Sequence, residues 1–141
     1  MIVLDTNVIS EAMRATPDSR VHAWLQGKKL FDLALSTITI AEIQRGLKRL
    51  PAGRRRADLE QRFGDFVGRG FGGRILTFDE DCATLYGDLC RLREAKGLHA
   101  DPIDMMIAAV ARNANAALAT RNIADFESCG LRLINPWMES A

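Results

Sequence analysis

A chain of 141 residues with 48% hydrophobic and 26% charged residues has the size and composition of one globular domain. Its formal net charge of +1 excludes a strong overall attraction to nucleic acid, so any such contact must depend on locally clustered charge. The three cysteines, Cys82, Cys90 and Cys129, form no CxxC pair, which argues against a disulfide framework and against a thiolate zinc site.

Nothing in the sequence predicts an attachment to a membrane. No apolar run approaches the roughly 20 residues that are needed to span a bilayer. The first residues lack the basic and long apolar regions of a signal peptide. We therefore expect a cytoplasmic protein that does not contact the membrane, with residues 1–141 forming a single domain.

The first half of the chain predicts two strands and four helices. Apolar runs at 2–4 and 33–35 suit buried parallel strands. Helical spacing of apolar residues predicts helices over 7–13, around 21–25, over 37–47 and over 59–67, with a turn at 51–53. Four glycines within 68–73 predict a loop.

The second half continues the alternation of strands and helices. Short strands are predicted at 75–76, 116–119 and 131–134, and helices over 79–96 and 102–111, with a turn or short helix at 122–126. Acidic residues at the start of the 79–96 helix and Gly97 after its end agree with the helix dipole and with the usual C-cap. Alternating short strands and helices predict an α/β domain with a mainly parallel sheet.

Acidic residues occur where predicted strands give way to helices. Asp5 directly follows the first strand, and open parallel sheets bind ligands just beyond the carboxyl ends of their strands. The same aspartate could cap the next helix by accepting its free N–H groups, and the two roles are compatible. Glu42 lies in the helix after the second strand, where it is either near the same sheet edge or simply a solvated residue.

Two further acids lie near the starts of other predicted elements. Asp104 comes after Asp101 and Pro102 at the start of a helix, where local structure alone favours an acid. Asp125 comes shortly after the fourth strand, beside Asn122, and could equally be an exposed turn residue.

Taken together, four acids fall on one rim of the predicted sheet: Asp5, Glu42, Asp104 and Asp125. Converging carboxylates raise one another's pKa, so such a cluster is costly unless a cation neutralises it. Ligands that are all oxygen suit Mg²⁺ or Mn²⁺ rather than zinc. These ions can generate hydroxide and stabilise a leaving oxygen, which is the chemistry of phosphodiester hydrolysis.

The chain resembles PIN-domain nucleases, specifically VapC- or FitB-like toxins of bacterial toxin–antitoxin pairs. The matching residues are 4–11 (LDTNVISE), 36–42 (STITIAE), Asp104 with 107–109 (IAA), 119–122 (ATRN) and 135–137 (NPW). They span nearly the whole chain in order, at spacing typical of the family. The resemblance implies a three-layer α/β/α sandwich and cleavage of RNA that depends on Mg²⁺ or Mn²⁺ and usually leaves a 5′-phosphate.

The resemblance also implies roles for particular residues. By position, Asp5, Glu42 and Asp104 would be the catalytic and metal-binding acids, and Thr120 would be an assisting hydroxyl. Thr6 and Asn7 would shape the turn around the first acid.

The chain departs from the family pattern at the fourth acid. FitB-like members carry an aspartate where this chain has Asn122, and other members carry the acid three residues later, where this chain has Asp125. We therefore treat Asp125 as a candidate catalytic acid and Asn122 as a candidate substrate contact.

Basic residues cluster within twelve positions that contain no acid: Arg45, Lys48, Arg49, Arg54, Arg55 and Arg56. They could be a solvated helix end and turn. Alternatively, the last three could bind RNA phosphates near Glu42, without base stacking because no aromatic residue interleaves them. Arg121, beside the acidic rim, could contact phosphate or pair with an acid.

The resemblance implies two protein partners, a cognate antitoxin and a second copy of the chain in a homodimer. We expect the antitoxin to lay an apolar helix beside the first two helices, around Val21, Trp24 and Leu25. A basic side chain of the antitoxin would then block the acidic rim.

Three other classes of protein share part of this pattern. A haloacid-dehalogenase-like phosphatase also places an aspartate after its first strand, but it needs a second acid two residues later, where this chain has Asn7. A phospho-receiver domain needs an acidic pair and a late lysine, for which Arg121 is a poor substitute. A PIN-like binding module without catalysis is favoured only by Asn122.

Overall fold

The computed structural model of the chain describes residues 1–71 and 74–139. Within that part, the strands are β1 (Ile2–Leu4), β2 (Leu33–Ser36), β3 (Ile75–Leu76), β4 (Ala117–Ala119) and β5 (Leu133–Ile134). All neighbouring strands are parallel, and their order is β3-β2-β1-β4-β5. The mainly parallel sheet expected from the sequence is therefore confirmed.

The described helices are α1 (Thr6–Ala12), α2 (Ser19–Gln26), α3 (Thr37–Lys48), α4 (Arg54–Gly70), α5 (Glu80–Ala95), α6 (Pro102–Asn113) and α7 (Ile123–Phe126). Local signals start and stop several of them as expected, whereas α4 begins at Arg54, before the predicted start at 59, and has no side-chain cap there. The Asp79 side chain accepts the Cys82 N–H at 3.0 Å and caps α5. Gly97, just beyond α5, has a φ of +74°, a conformation that glycine adopts without strain.

The helices cover both faces of the sheet, which gives the expected three layers. Side chains of β1 alternate between the layers, with Leu4 in the core formed with α1 to α4 and Val3 in the core formed with α5 and α6. Leu35 and Ala34 of β2 alternate in the same way. Because both faces are buried, the strands are continuous apolar runs.

Three local predictions were wrong or too long. Residues 68–70 belong to the end of α4 rather than to a loop, and the rest of the predicted glycine loop includes Gly72 and Gly73, which lie outside the described residues. β5 covers two residues rather than the four predicted at 131–134. β4 begins one residue later than predicted, at Ala117.

The apolar face of α2 is occupied by the protein's own core. Val21 is fully buried and Trp24 is only 8% exposed, and both pack in the core between the sheet and the first four helices. Val21 and Trp24 are therefore not open to the antitoxin helix that was predicted around them, whereas Leu25 is half-buried and lines a cavity; the docking site itself stays a prediction.

The strand order places a switch point beside β1. The chain runs from β1 to β2 on one side, whereas β4 pairs with β1 on the other. At such a point the connecting segments leave in opposite directions and open a crevice at the carboxyl ends of the strands.

None of the helices within residues 1–71 and 74–139 combines the length and the apolar character that are needed to span a membrane.

Candidate active site

Asp5 and Thr120 stand side by side at the switch point, one residue beyond β1 and β4 respectively. Asp5 is 4% exposed and Thr120 is fully buried. One carboxylate oxygen of Asp5 accepts the Thr6 N–H at 2.8 Å, and the other accepts the Thr120 hydroxyl at 2.7 Å. Asp5 therefore caps α1 and lines the crevice at the same time, so the capping role is confirmed and the ligand-binding role stays a prediction.

Glu42 reaches the same crevice from α3. Ser36, the last residue of β2, caps this helix by accepting the Thr39 N–H at 3.0 Å. That cap starts α3 at the carboxyl edge of the sheet and places Glu42 less than two turns further on. The Thr6 hydroxyl donates to Oε1 of Glu42 and so joins the first turn of α1 to α3.

Asp104 enters the crevice from the first turn of α6. The Asp101 carboxylate accepts the Asp104 N–H at 2.9 Å, and Pro102 occupies the first helical position. Partial burial raises the pKa of Asp104 to about 7, and repulsion from Asp101, Asp5, Asp125 and Glu42 adds to the rise. At neutral pH this carboxyl is poised between its two protonation states.

Asp5 experiences the same repulsion. Burial is the main cause that raises its pKa, and the charges of Glu42 and Asp125 raise it further. Hydrogen bonds from Thr120 and Thr6 act in the opposite direction because they stabilise the ionised carboxylate. The acids that the sequence placed on one rim thus influence one another in the folded protein.

A pocket of about 520 Å³, which we call the carboxylate pocket, contains most of the predicted site. Its lining residues are Asp5, Thr6, Asn7, Ser10, Glu11, Arg14, Glu42, Asp104, Arg121, Asn122 and Trp137. The Asn7 amide donates weakly to Asp5 and Thr120, over 3.4 and 3.3 Å, and its oxygen accepts the Arg121 N–H at 3.3 Å. Asn7 therefore ties the ends of β1 and β4 together.

The two candidates for the fourth position differ in placement. Asn122 lines the carboxylate pocket, and its N–H donates to the Thr120 hydroxyl oxygen at 3.0 Å. Asp125 is exposed and is not among the lining residues, although its charge raises the pKa of both Asp5 and Asp104. Asp125 therefore affects the pocket through its electric field.

Four lining residues were not predicted as site residues from the sequence: Ser10, Glu11, Arg14 and Trp137. Glu11 is 8% exposed and accepts hydrogen bonds from Arg14 at 3.1 Å and from the Asp18 N–H at 3.3 Å. Its position four residues after Asn7, on the same helix face, is the signal that could have found it. Trp137 comes from the C-terminal turn, and nothing in its local sequence indicates that it reaches this pocket.

A second cavity adjoins the carboxylate pocket. This groove of about 1000 Å³ lies between α1, α3 and α4 and shares Thr6, Ser10, Arg14 and Glu42 with the pocket. We call it the α4 groove. Its floor includes Met13, Ile43, Leu47 and Leu59, and Arg54, Arg55 and Arg62 stand along it.

The predicted basic segment separates into free and paired groups. Arg54 and Arg55 are exposed and line the α4 groove. Arg56 instead donates to the Glu60 carboxylate at 2.7 Å, and Lys48 reaches the same carboxylate at 3.3 Å. Of the three arginines predicted to bind phosphate, the structure leaves two available at the groove.

The donor set of the carboxylate pocket suits a hard divalent cation. Asp5, Glu42 and Asp104 offer only oxygen atoms, and burial together with repulsion from neighbouring acids raises the pKa of Asp5 and of Asp104. Within residues 1–71 and 74–139, no three acidic, histidine or cysteine side chains surround one point closely enough to hold an ion unaided. An Mg²⁺ or Mn²⁺ ion held by these acids would therefore have to retain part of its water shell.

Comparisons with known proteins agree on the family of this chain. The family model described as "PIN domain" matches residues 2–128. The chain is 43% identical to the VapC ribonuclease Y4jK of Sinorhizobium fredii, over 97% of this chain and 98% of that protein. It is 39% identical to the toxin FitB of Neisseria gonorrhoeae, over 97% of this chain and 99% of that protein.

A solved structure gives the same match in three dimensions. The fold superposes on the crystal structure of FitAcB from Neisseria gonorrhoeae with a TM-score of 0.93 and 38% sequence identity. The match covers 99% of this chain and 100% of that chain.

Proposed function

Because the chain belongs to the PIN domain family, we propose that it is a metal-dependent ribonuclease toxin that hydrolyses RNA phosphodiester bonds and is held inactive by a cognate antitoxin. One observation carries the proposal. Acids from three separate elements, Asp5, Glu42 and Asp104, line one pocket at the switch point of a parallel sheet, and the charge of Glu42 raises the pKa of the other two. A site that concentrates negative charge in this way binds a divalent cation and, through it, phosphate oxygens.

Each acid has a distinct place in the proposed reaction. Asp5, Glu42 and Asp104 would hold Mg²⁺ or Mn²⁺, which supplies an activated water and stabilises the leaving oxygen. Thr120 and Thr6 fix the two oxygens of Asp5, and Thr6 also fixes Glu42. These hydrogen bonds keep the carboxylates oriented before the substrate arrives, so little reorganisation is needed during the reaction.

RNA would reach the pocket along the α4 groove. Arg56 pairs with Glu60, whereas Arg54 and Arg55 line the groove and form no ion pair with any residue of 1–71 and 74–139. Phosphate contacts of this kind position an RNA strand without reading its bases. The strand would then pass Glu42, which lines both cavities.

The structure also gives a physical argument against the phosphatase alternative. That class needs a carboxylate at position 7, whereas Asn7 donates its amide to Asp5 and Thr120. An acid at position 7 would place a second negative charge against Asp5. We therefore favour the nuclease over the haloacid-dehalogenase-like phosphatase.

The decisive experiment is an RNA cleavage assay with the purified protein, freed of any inhibitor. We expect cleavage of single-stranded or loop RNA in Mg²⁺ or Mn²⁺ and none in EDTA. Asp5→Asn keeps an N-cap residue and removes the charge, so we expect a folded protein whose rate is lower by at least about a hundredfold. Unchanged cleavage by this variant would refute the assignment, and absence of RNA cleavage by the wild type would favour a binding module.

We further propose that the antitoxin covers the α4 groove. The groove has an apolar floor for an amphipathic helix and opens directly onto the carboxylate pocket, so a basic side chain of the helix could reach the acids. RNA and antitoxin would then compete for the same surface. Leu59→Lys should abolish co-purification with the antitoxin. A homodimer that forms through another face should remain intact in this variant, as measured by light scattering.

A further inference from the structure

The guanidinium of Arg121 lies over the indole ring of Trp137 at the edge of the carboxylate pocket. Its central carbon is 5.1 Å from the ring centroid. Among residues 1–71 and 74–139, no carboxylate forms an ion pair with Arg121, although Asp5, Glu42 and Asp104 line the same pocket. Arg14, the other cation that lines this pocket, is paired with Glu11.

Both partners of this stack are anchored to the site by their backbones. The Arg121 N–H donates to the Asn7 side chain at 3.3 Å. The Trp137 N–H donates to the Asn135 side chain at 3.0 Å, and the strand that leads into this turn accepts the Thr120 N–H at Ile134, over 2.8 Å. Trp137 itself is only 5% exposed, so the residues packed around its ring hold the ring in place.

A guanidinium that lies over an aromatic ring keeps its hydrogen-bond donors available. The attraction of a cation to a ring face uses none of the guanidinium N–H donors, so these stay available for a bidentate contact with phosphate. An arginine without the ring would be drawn onto the nearby carboxylates, which would neutralise a charge that the cation site needs. The indole therefore holds the guanidinium near the acids without pairing it with them.

We propose that Trp137 is a positioning residue that holds Arg121 as the phosphate contact at the edge of the carboxylate pocket, where it binds a phosphodiester of the RNA strand. This inference rests on the proposed ribonuclease function and adds to it a specific contact and the residue that orients it. Arg121 would act together with the arginines of the α4 groove, at the opposite end of the path.

The test is a double-mutant cycle on RNA binding. Binding of a fluorescein-labelled single-stranded RNA is followed by anisotropy in EDTA, so that cleavage does not interfere. We expect Arg121→Gln to weaken binding about tenfold and to lower the salt slope by about 0.7, the value for one lost phosphate contact on a single strand. Trp137→Leu should weaken binding about threefold, as expected for loss of a cation–π contact.

The coupling between the two residues separates positioning from general destabilisation. If Trp137 acts through Arg121, Trp137→Leu should cause no further loss in the Arg121→Gln protein. Trp137→Phe, which keeps a ring, should restore most of the affinity, and Arg121→Lys should not, because it lacks the planar fork. Equal losses from Trp137→Leu in both backgrounds would overturn the positioning role.

The chain provides a matched control. Lys28 lies over Trp24, 5.2 Å from the ring centroid, and lines a different cavity, to which none of Asp5, Glu42 and Asp104 contributes. Lys28→Gln removes one stacked charge and should leave RNA affinity and salt slope unchanged. An equal effect from this variant would show that only overall charge matters, and would overturn the proposed contact.

A second readout monitors the ring directly. The chain has two tryptophans, so Trp24→Phe leaves Trp137 as the sole source of indole emission. RNA should change that emission when Arg121 is present and should change it much less in the Arg121→Gln protein. RNA binding with this signature but without cleavage in Mg²⁺ would refute the ribonuclease function and support the contact. A wild-type protein that neither binds RNA in EDTA nor cleaves it in Mg²⁺ would refute both.

Discussion

The Thr120 hydroxyl donates a 2.7 Å hydrogen bond to Asp5, although 115 positions separate the two residues in the sequence. The contact exists because β1 and β4 are hydrogen-bonded neighbours whose carboxyl ends finish level with each other, with Leu4 paired to Ala119. Each residue is the first beyond its strand. A threonine and an acid that look unrelated in the sequence therefore form one unit at the switch point.

We predict that Thr120→Val impairs catalysis by releasing one oxygen of Asp5. The hydrogen bond from Thr120 lowers the pKa of Asp5, so its loss should raise that pKa further and move the acidic limb of the pH–rate profile to higher pH. We expect the rate at neutral pH to fall about tenfold, in line with loss of one positioned hydrogen bond. The measurement is the initial cleavage rate between pH 5 and 9.

Thr120→Ser is the matched control for that variant. It keeps the hydroxyl and removes one methyl group, so both rate and profile should stay close to wild type. A valine variant with the same profile as wild type would show that the Thr120 hydroxyl does not tune Asp5.

Local signals predicted most of the fold because they act over a few residues. The buried run of β1 and the sequence Asp101-Pro102 at the start of α6 need no tertiary information. The end of α4 could not be predicted in this way. Glycine costs about 1 kcal/mol in a helix, yet packing overrides that cost here, because Phe63 is buried and Phe66 meets Phe71 edge to face at 5.0 Å.

The candidate site was predicted only where its residues follow strand ends or begin a helix. Asp5 and Glu42 have the first relation to the sheet, whereas Asp104 was found from its place at the start of a helix; the structure brings the three together, while their catalytic roles stay predictions. Trp137 has no such relation, because a C-terminal turn brings it to the pocket. The apolar face of α2 was interpreted as a docking surface for the antitoxin. The same pattern of apolar residues occurs whether such a face packs within the chain or against a partner, so the sequence alone does not distinguish the two.

We predict that Asp104 makes the stability of the protein depend on pH. Its folded pKa is about 7, against an ordinary value of 3.8. Between these values the folded state retains a proton that the unfolded state has released, so the free energy of unfolding should decrease as pH rises from about 4 to 7 and level off above. Urea unfolding in EDTA at several pH values measures this slope.

Two variants test the assignment of that slope. Asp104→Asn removes the titrating group, so its slope over this range should be shallower than that of the wild type. Asp101→Asn keeps an N-cap residue and removes the nearest charge, so the pKa of Asp104 should fall and the decline should end at lower pH. Slopes identical in all three proteins would assign the pH dependence to other groups.

We predict that the arginines of the basic segment differ in their effect on RNA binding. Arg54→Ser with Arg55→Ser should lower the salt slope of binding by about 1.4, which corresponds to two phosphate contacts on a single strand. Arg56→Ser should change the slope little, because this arginine is already paired with Glu60. The measurement is a series of anisotropy titrations at salt concentrations from about 50 to about 200 mM, a range over which such slopes are resolved. An equal effect from Arg56→Ser would contradict the division that the structure indicates.

We predict that the requirement for metal depends on position 122 more than on position 125. Asn122 lines the carboxylate pocket and brings no charge, whereas Asp125 is exposed and acts on Asp5 and Asp104 through its field. Affinity for a hard cation increases with the negative charge at the site. Asn122→Asp should therefore lower the Mg²⁺ concentration for half-maximal cleavage severalfold.

Asp125→Asn should raise that concentration, and by a smaller factor, because an exposed charge at a distance is screened by solvent. The measurement is a titration of cleavage rate with Mg²⁺ at low ionic strength, where screening is weakest. Repeating the titration at high salt separates the two positions, since the effect of Asp125→Asn should shrink while that of Asn122→Asp persists. If Asp125→Asn matches the wild type at limiting Mg²⁺ and low salt, Asp125 is a residue of the turn alone and the site works with three acids.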